Sequence, residues 1–448
     1  MTAIIHNLVE SSVAAQAAAI ASGELTPSAL LETYLERIDR LEPSIEAFAY
    51  LDREGARSTA ERLTEEAKRG ALRGPLRGVP VAIKDQLFVR SMPNLIGQTW
   101  GDDSIPEVDA GLVRALRESG AIIIGTTYMP DRHGDPATRN PWNLAHAPGG
   151  SSSGSAASAA ARMVSVAIGE QTGGSNIRPA AFCGLAGMRP TYGRFSRAGM
   201  YAISWSLDQA GIIARSMEDV AIVYSAGARY DAADPSSIDA PVSAWPAKLE
   251  PHRPPRIGVV RNLFTDHAEA DMLAAIDRAS EQFKSAGADV TDVALPESFA
   301  AIWPAWKVIA AAERTTFHAK HAAALEAAGV QLKPDADGWV PSSYYLQAQR
   351  IRRSIRDAVT PLFDGLDAML TPAAPGAAPE GNGPGNNVMN SPWASVGFPV
   401  ITINGGLNAQ GLPLGLQLSA PRLADESLIQ AGYWCESVLG RLPAPPNS

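Results

Sequence analysis

Between Pro148 and Pro190 the chain carries two serine-bearing glycine turns, Gly149-Gly150-Ser151 and Gly173-Gly174-Ser175, with their serines 24 positions apart. Successive glycines reach backbone dihedrals that other residues avoid, so the N–H groups of such a turn can converge on one spot. A serine at the end of such a turn is positioned for chemistry. Upstream, Gly78-Val79-Pro80-Val81-Ala82-Ile83-Lys84-Asp85 reads as a short buried strand ending in a lysine that interrupts an apolar run. Ammonium groups are rarely placed there without a partner. Taken singly these signals are weak, because glycine turns also cradle phosphates and a lysine after a valine-rich strand is more often a surface strand end.

Together and in this order, GVPVAIKD, GGSSSGS and GGSNIRPAAFCG resemble the amidase signature family of serine hydrolases. The resemblance extends from SGELTPSALLETYLERID near the start to FDGLDAMLTPAAP and GLPLGLQL near the end. It implies a catalytic triad of Lys84, a cis bridging serine at Ser151 and the nucleophile Ser175. It also implies an oxyanion hole from the backbone N–H groups of Thr172, Gly173, Gly174 and Ser175, with Ser152, Gln171 and Arg178 in supporting positions. The implied reaction cleaves the C–N bond of an amide or carbamate. Ser175 forms an acyl-enzyme, and its proton passes through Ser151 to Lys84 and returns to the leaving nitrogen. Lys84 must then rest as a neutral amine, which burial favours because desolvation penalises the ammonium form. No metal or cofactor is required.

Three departures from the family pattern bear on the surroundings of the nucleophile. Ser153 stands where the family often has glycine, which would stiffen the turn or add a hydrogen bond. Gln171 replaces the usual aspartate, and Asn176-Ile177-Arg178 displaces the usual arginine by one position. Two rival readings accompany the triad. Gly150-Ser151-Ser152-Ser153-Gly154 matches the G-x-S-x-G elbow of α/β-hydrolase esterases with Ser152 as nucleophile, a motif that needs a preceding strand and a later acid and histidine. The chain also resembles the amidase component of tRNA-dependent amidotransferases, which acts on glutamine within a complex.

The elements that must position these residues read as helix and strand in alternation. Ser12 to Ser22 reads as a helix stopped at Gly23, and Thr26-Pro27 opens a second, whose Leu30, Leu31, Tyr34, Leu35, Ile38 and Leu41 form one stripe. A third helix covers Ala56 to Lys68. Asp109 to Glu118 then feeds a strand from Ala121 to Gly125. Ala156 to Met163 reads as a helix and Val164 to Ile168 as the strand entering the second serine turn. A helix from Met217 to Ala226 follows, then a Pro-, Asp- and Ser-rich excursion from Tyr230 to Pro255. Beyond it come a strand at Arg256 to Val260, a helix from Ala268 to Ala286 and a strand from Val290 to Leu295. Helical patterns cover Ala301 to Ala328 and Tyr344 to Leu362. Late strands fall at Pro399 to Ile403 and Leu414 to Leu418, before a final helix from Asp425 to Leu439. With the resemblance, this pattern predicts an α/β fold whose mixed central sheet is covered by helices on both faces. Residues 1–448 form a single amidase domain, in which approximately 240–345 make an inserted, peripheral region walling the active-site entrance.

The polar loop from Tyr128 to Ala147 is long enough to rim the site, and Met129 and Asp131 are its expected substrate contacts. Trp303, Trp306, Phe317, Trp339, Tyr344 and Tyr345 concentrate aromatics in the peripheral region. Some are core, because aromatics dominate cores; the rest would line a funnel suited to an aryl amide or a urethane. In the 448-residue chain, hydrophobic residues make up 46% against 19% charged, which predicts a large core. A net charge of −9 argues against a nucleic-acid partner. Cys183 and Cys435 are too few for a disulfide framework, and no paired Cys/His spacing suggests zinc. The N-terminal Ala-rich piece lacks a preceding basic region, so it does not read as a secretory signal. No stretch approaches the ~20 continuous apolar residues of a membrane span. The expectation is a cytoplasmic monomer or homodimer that takes a small-molecule amide or carbamate.

Overall fold

In this computed structural model the described residues are 9–94, 105–130, 138–242, 249, 253–327 and 339–448, with the backbone alone for 317–327. Eleven strands among them join one mixed sheet. They are β1 (Phe48–Leu51), β2 (Pro80–Lys84), β3 (Ile122–Thr127), β4 (Val166–Gln171), β5 (Ala186–Arg189), β6 (Gln209–Ala214), β7 (Arg256–Val260), β8 (Asp289–Val293), β9 (Ala368–Pro372), β10 (Val400–Leu407) and β11 (Pro413–Ser419). Their order is β1-β3-β2-β4-β6-β5-β10-β11-β9-β7-β8. β2 runs parallel to β3 on one side and to β4 on the other, so these three strands present their C-terminal ends side by side. β4, β6, β5, β10, β11 and β9 then follow as antiparallel neighbours. β7 and β8 are parallel additions beyond β9. In open α/β sheets, ligand sites lie outside the carboxyl ends of parallel strands.

Successive strand residues point to opposite faces, and both faces here are apolar. Val81, Ile83, Ile123, Val166 and Ile168 enter a core shared with the helices Gly111–Glu118, Met217–Gly227, Ala270–Ser285 and Asp425–Leu439. Ala82, Ile122, Ile124 and Ala167 enter the other, under the helices Pro27–Ile45 and Ser153–Ala160. The expected mixed sheet with helices on both faces is therefore the observed architecture. The sequence cues act as read at the first two helices. The Ser12 hydroxyl accepts from Ala15 N at 3.3 Å, Gly23 closes that helix at φ +80°, and the Thr26 hydroxyl accepts from Ala29 N at 3.2 Å ahead of Pro27.

Two differences affect the site. The strand expected at Val164 to Ile168 instead spans Val166–Gln171, which brings Glu170 and Gln171 into the sheet. Gly169 lies inside it because a Cβ there would come within 2.3 Å of Asn176 Oδ1 and 2.8 Å of Ser152 Oγ. The turn-rich stretch after Pro190 ends in β6, a fully buried strand in the middle of the sheet. A short strand that is apolar after Gln209 and buried on both faces has no period-two signature. The peripheral stretch continues the same sheet through β7 and β8 and then forms the helices Ile302–Ala327 and Ser342–Val359. Among the described residues no helix is long and apolar enough to cross a membrane.

Candidate active site

Lys84 is the last residue of β2, and its side chain is fully buried. Its Nζ lies within hydrogen-bond distance of Ser151 Oγ at 2.8 Å, of the Glu170 backbone oxygen at 3.3 Å and of Glu170 Oε2 at 3.0 Å. Ser151 follows a cis Gly150–Ser151 peptide and closely precedes the helix Ser153–Ala160. The second turn leaves the C-terminal end of β4, and Ser152 N donates to the Ser175 backbone oxygen at 3.1 Å, tying the two serine turns together. Ser151 and Ser175 are half-buried, whereas Ser152, Thr172, Gly173, Gly174 and Asn176 beside them are buried. The two serines are thus the less enclosed residues of their turns. Among the described residues, the backbone N–H groups of Gly173, Gly174 and Ser175 have no acceptor. Orphan N–H groups on a buried glycine turn suit an incoming oxyanion.

The electrostatics centre on a carboxyl that the sequence reading does not single out. Glu170 is fully buried, as is Asp208, which stands immediately before β6. The Thr172 hydroxyl is shared between them, donating to Asp208 Oδ1 at 2.7 Å and to Glu170 Oε1 at 3.3 Å. Asp208 Oδ2 also accepts from the N–H groups of Ile203 at 2.5 Å and Ser204 at 2.8 Å. Burial pushes the Lys84 amine below its usual range, and the charge and hydrogen bond of Glu170 recover part of that drop. Burial, then the charge of Glu170, pushes Asp208 up to about 7. One signal in the sequence could have found Glu170. Two opposite charges, Lys84 and Glu170, each follow an apolar strand run, and a buried charge needs a partner.

The three departures from the family pattern each have a local explanation. Gln171 Oε1 accepts from the N–H groups of Asn176 and Ile177, both at 3.0 Å, and so fixes the chain just after Ser175. An aspartate oxygen would accept in the same way; the amide instead leaves Nε2 buried without a partner among the described residues. Asn176 anchors the same turn to the sheet, its Nδ2 donating to Met188 O of β5 at 3.0 Å and Ile212 O of β6 at 3.1 Å. Arg178 Nη2 donates to Gly150 O at 2.5 Å, holding the carbonyl of the peptide that precedes Ser151. Burial lowers its guanidinium to about 10. Ser153 adds a hydrogen bond to Tyr128 O at 3.4 Å. Ser152 Oγ donates to Glu170 O and accepts from Glu170 N, both at 3.2 Å. With that hydroxyl buried and residues 138–150 free of any named strand, Ser152 lacks the exposed strand-to-helix elbow that the esterase reading requires.

Of the expected substrate contacts, Met129 is buried, and Asp131 lies outside the described residues. The Gly-, Pro- and Asn-rich loop before the helix Ser391–Val396 is what covers the serine turns. Gly150 N donates to Pro384 O at 3.0 Å, and Asn387 and Asn390 press against Gly173 and Gly174. Among the expected aromatics, Trp306 reaches the site, its Nε1 donating to Thr172 O at 3.3 Å. Trp303 instead packs with Phe264, Phe299 and His267. Tyr345 donates to Glu313 Oε1 at 2.8 Å, Trp339 and Tyr344 are exposed, and the side chain of Phe317 lies outside the described residues. Both cysteines are buried, and burial pushes their thiols up.

The sequence profile of the Amidase family matches residues 29–429. A glutamyl-tRNA(Gln) amidotransferase chain of Synechococcus sp. (strain RCC307) is 32% identical, over 96% of this chain and 98% of that protein. The native peptide amidase of Stenotrophomonas maltophilia superposes with a TM-score of 0.84 at 31% identity, covering 97% of this chain and 98% of that one. The corresponding glutamyl-tRNA(Gln) amidotransferase chain of Thermotoga maritima superposes with a TM-score of 0.79 at 26% identity, covering 94% and 95%. With that match over most of its length, and with the serine turns and the lysine on one sheet end, the chain belongs to the Amidase family.

Proposed function

We propose that this protein hydrolyses the C–N bond of amides or carbamates through an acyl-enzyme on Ser175, with Lys84 and Ser151 as its proton relay. The observation that carries the reading is the 2.8 Å hydrogen bond between the fully buried Lys84 amine and Oγ of Ser151, one of two half-buried serines on adjoining turns. Ser175 attacks the carbonyl while its proton moves to Ser151, whose own proton moves to Lys84. The oxyanion is taken up by the N–H groups of Gly173, Gly174 and Ser175, with Thr172 at the edge of the turn. Collapse of the tetrahedral intermediate returns the proton to the leaving nitrogen, and water then releases the acyl group by the same relay. Because only the deprotonated amine accepts a proton, activity rises as pH rises through the Lys84 pKa of the free enzyme.

Aryl amides and aryl carbamates are the favoured substrates. Trp306 supports this, because its ring lies against the glycine turn, with Cζ2 2.7 Å from where a Cβ on Gly173 would stand. The helix Ile302–Ala327 that carries it supports residues of about 240–345 as one wall of the entrance, and Met129 and Asp131 of the rim loop are assigned as the substrate contacts. The deciding comparison is kcat/KM for a p-nitroanilide, a p-nitrophenyl carbamate and a short aliphatic amide. The aryl substrates are expected to lead. A tenfold preference for the aliphatic amide, about 1.4 kcal/mol in the transition state, would end the aryl assignment and leave the triad standing.

A second reading, an amidase component that releases ammonia from glutamine inside an amidotransferase complex, is favoured by the near full-length likeness to a chain of such an enzyme. Gel filtration of the purified chain combined with a glutaminase assay separates the two. A monomer or homodimer that turns over aryl amides but not glutamine supports the hydrolase.

A further inference from the structure

We propose that Glu170 is the positioning residue of the relay: it turns the Lys84 lone pair towards Ser151 and faces the positive charge that Lys84 gains when it takes the serine proton. The inference rests on the reading of Lys84 as the base and deepens it.

A neutral amine has two N–H bonds and one lone pair, whereas an ammonium has three N–H donors and no lone pair. Lys84 Nζ has three oxygen neighbours, namely the backbone oxygen of Glu170, Glu170 Oε2 and Ser151 Oγ. Two of the three belong to Glu170. In the neutral state both N–H bonds are used on Glu170, and the lone pair is left facing Ser151, whose O–H then donates to the nitrogen. After proton transfer the same three contacts satisfy all three N–H donors of the ammonium, and none of the heavy atoms needs to move. The steps balance within the chain. The Ser175 O–H bond breaks as its Oγ–carbon bond forms, Ser151 gains that proton and loses its own, and Lys84 becomes an ammonium opposite a carboxylate. The reverse path gives the proton to the leaving nitrogen.

Glu170 is itself held for this purpose. Its side chain is fully buried, its Oε1 receives the Thr172 hydroxyl, and its backbone N–H and C=O both meet the Ser152 hydroxyl. The other charged groups around the pair are Asp208 across Thr172, Asp85 next in the chain after Lys84, and Arg189 on β5. Arg189 Nη2 donates to Leu207 O at 2.8 Å, and beyond it lie Tyr192 and Arg352. Of the two carboxyls that raise the Lys84 amine, Glu170 is the one in direct contact and the larger influence.

An anion beside a base stabilises its protonated form, so removing the charge lowers the Lys84 pKa and moves the acid limb of the pH profile to lower pH. It also withdraws the countercharge from the ammonium formed in the transition state, which lowers the plateau. A merely structural role would lower the plateau and leave the limb in place.

The test is the pH dependence of aryl-amide hydrolysis by the full-length Glu170→Gln protein, with thermal denaturation measured alongside. The isosteric amide keeps an acceptor for Nζ and removes the charge. The expected result is an acid limb about one pH unit or more lower and a plateau kcat about 10²-fold lower, with KM little changed. A limb that stays or moves up, or a plateau within about threefold of the original, would overturn the proposal. Asp208→Asn measured in parallel should shift the limb less; an equal or larger shift would assign the limb to Asp208 and also overturn it. Should Glu170→Gln not fold, Glu170→Asp keeps the charge one methylene further back. Its limb should stay while its plateau falls about tenfold, and a limb a full unit lower would count against Glu170. Ser175→Ala keeps the two questions apart. Retained activity there sinks the acyl-enzyme reading, whereas an inactive Ser175→Ala beside an unmoved Glu170→Gln limb sinks this inference alone.

Discussion

Ser175→Ala is expected to abolish acyl-enzyme formation and to lower kcat by roughly 10⁶-fold, the scale on which serine-hydrolase nucleophile deletions fall. Without the hydroxyl no covalent intermediate can form, and the relay behind it has nothing to deprotonate. Ser151→Ala and Lys84→Ala are each expected to leave traces of activity for a related reason. In the proposed relay Lys84 acts through Ser151 Oγ, 2.8 Å from its amine, so removing either one breaks the same path. The triple variant should consequently be little worse than Ser175→Ala. Intact-protein mass spectrometry after treatment with a fluorophosphonate supplies the check. A single adduct on Ser175, lost in Ser175→Ala and slowed in Lys84→Ala, is expected; an adduct on Ser152 would overturn the assignment.

The second large effect is expected from Gly174→Ala. A Cβ at this position would stand 2.5 Å from Asn390 Oδ1 and 3.1 Å from Asn387 Cβ. Asn390 cannot swing aside cheaply, because it is fully buried and its Nδ2 is committed to Ala373 O and Gln417 Oε1, both at 2.9 Å. The turn must move instead, and with it the N–H groups proposed to take up the oxyanion. Loss of one such donor costs about 10²–10³ in kcat, and a displaced turn puts more than one out of line. Steady-state kinetics should show the loss in kcat with KM little changed. Equal losses of kcat and melting temperature in step with unfolding would show that the turn is a packing element alone.

The sequence is most legible where one residue has one job. Thr26 and Pro27 start a helix, Gly23 ends one, and an apolar run broken by Lys84 is a buried strand with a charged end. Those readings need no tertiary information. It is least legible where the fold imposes the environment. The segment Gln209–Ala214 is central only because β4 and β5 close on either side of it, and the short helix Ile177–Phe182 contains Pro179, which the first turn tolerates. The serines and the lysine are readable as a constellation because glycine turns and a misplaced ammonium are local oddities. Glu170 and Asp208 are harder, since a carboxyl near the end of a strand looks like any surface carboxyl until its neighbours arrive. Trp306 stands among five other aromatics of similar appearance, and only the approach of its helix to Thr172 distinguishes it.

The burial of both thiols is expected to keep them unreactive towards alkylating reagents in the native protein, since the thiolate is the reactive form. Cys183 Sγ rests on Pro148 O at 3.6 Å beneath the first serine turn, and Cys435 lies in the opposite core layer among the residues of the closing helix. Iodoacetamide labelling of the folded chain therefore times spontaneous opening on each side of the sheet separately, as two clocks read by peptide mapping. Substrate analogues that occupy the site should slow the Cys183 clock and leave the Cys435 clock unchanged, which would mark the half of the molecule whose breathing is linked to turnover.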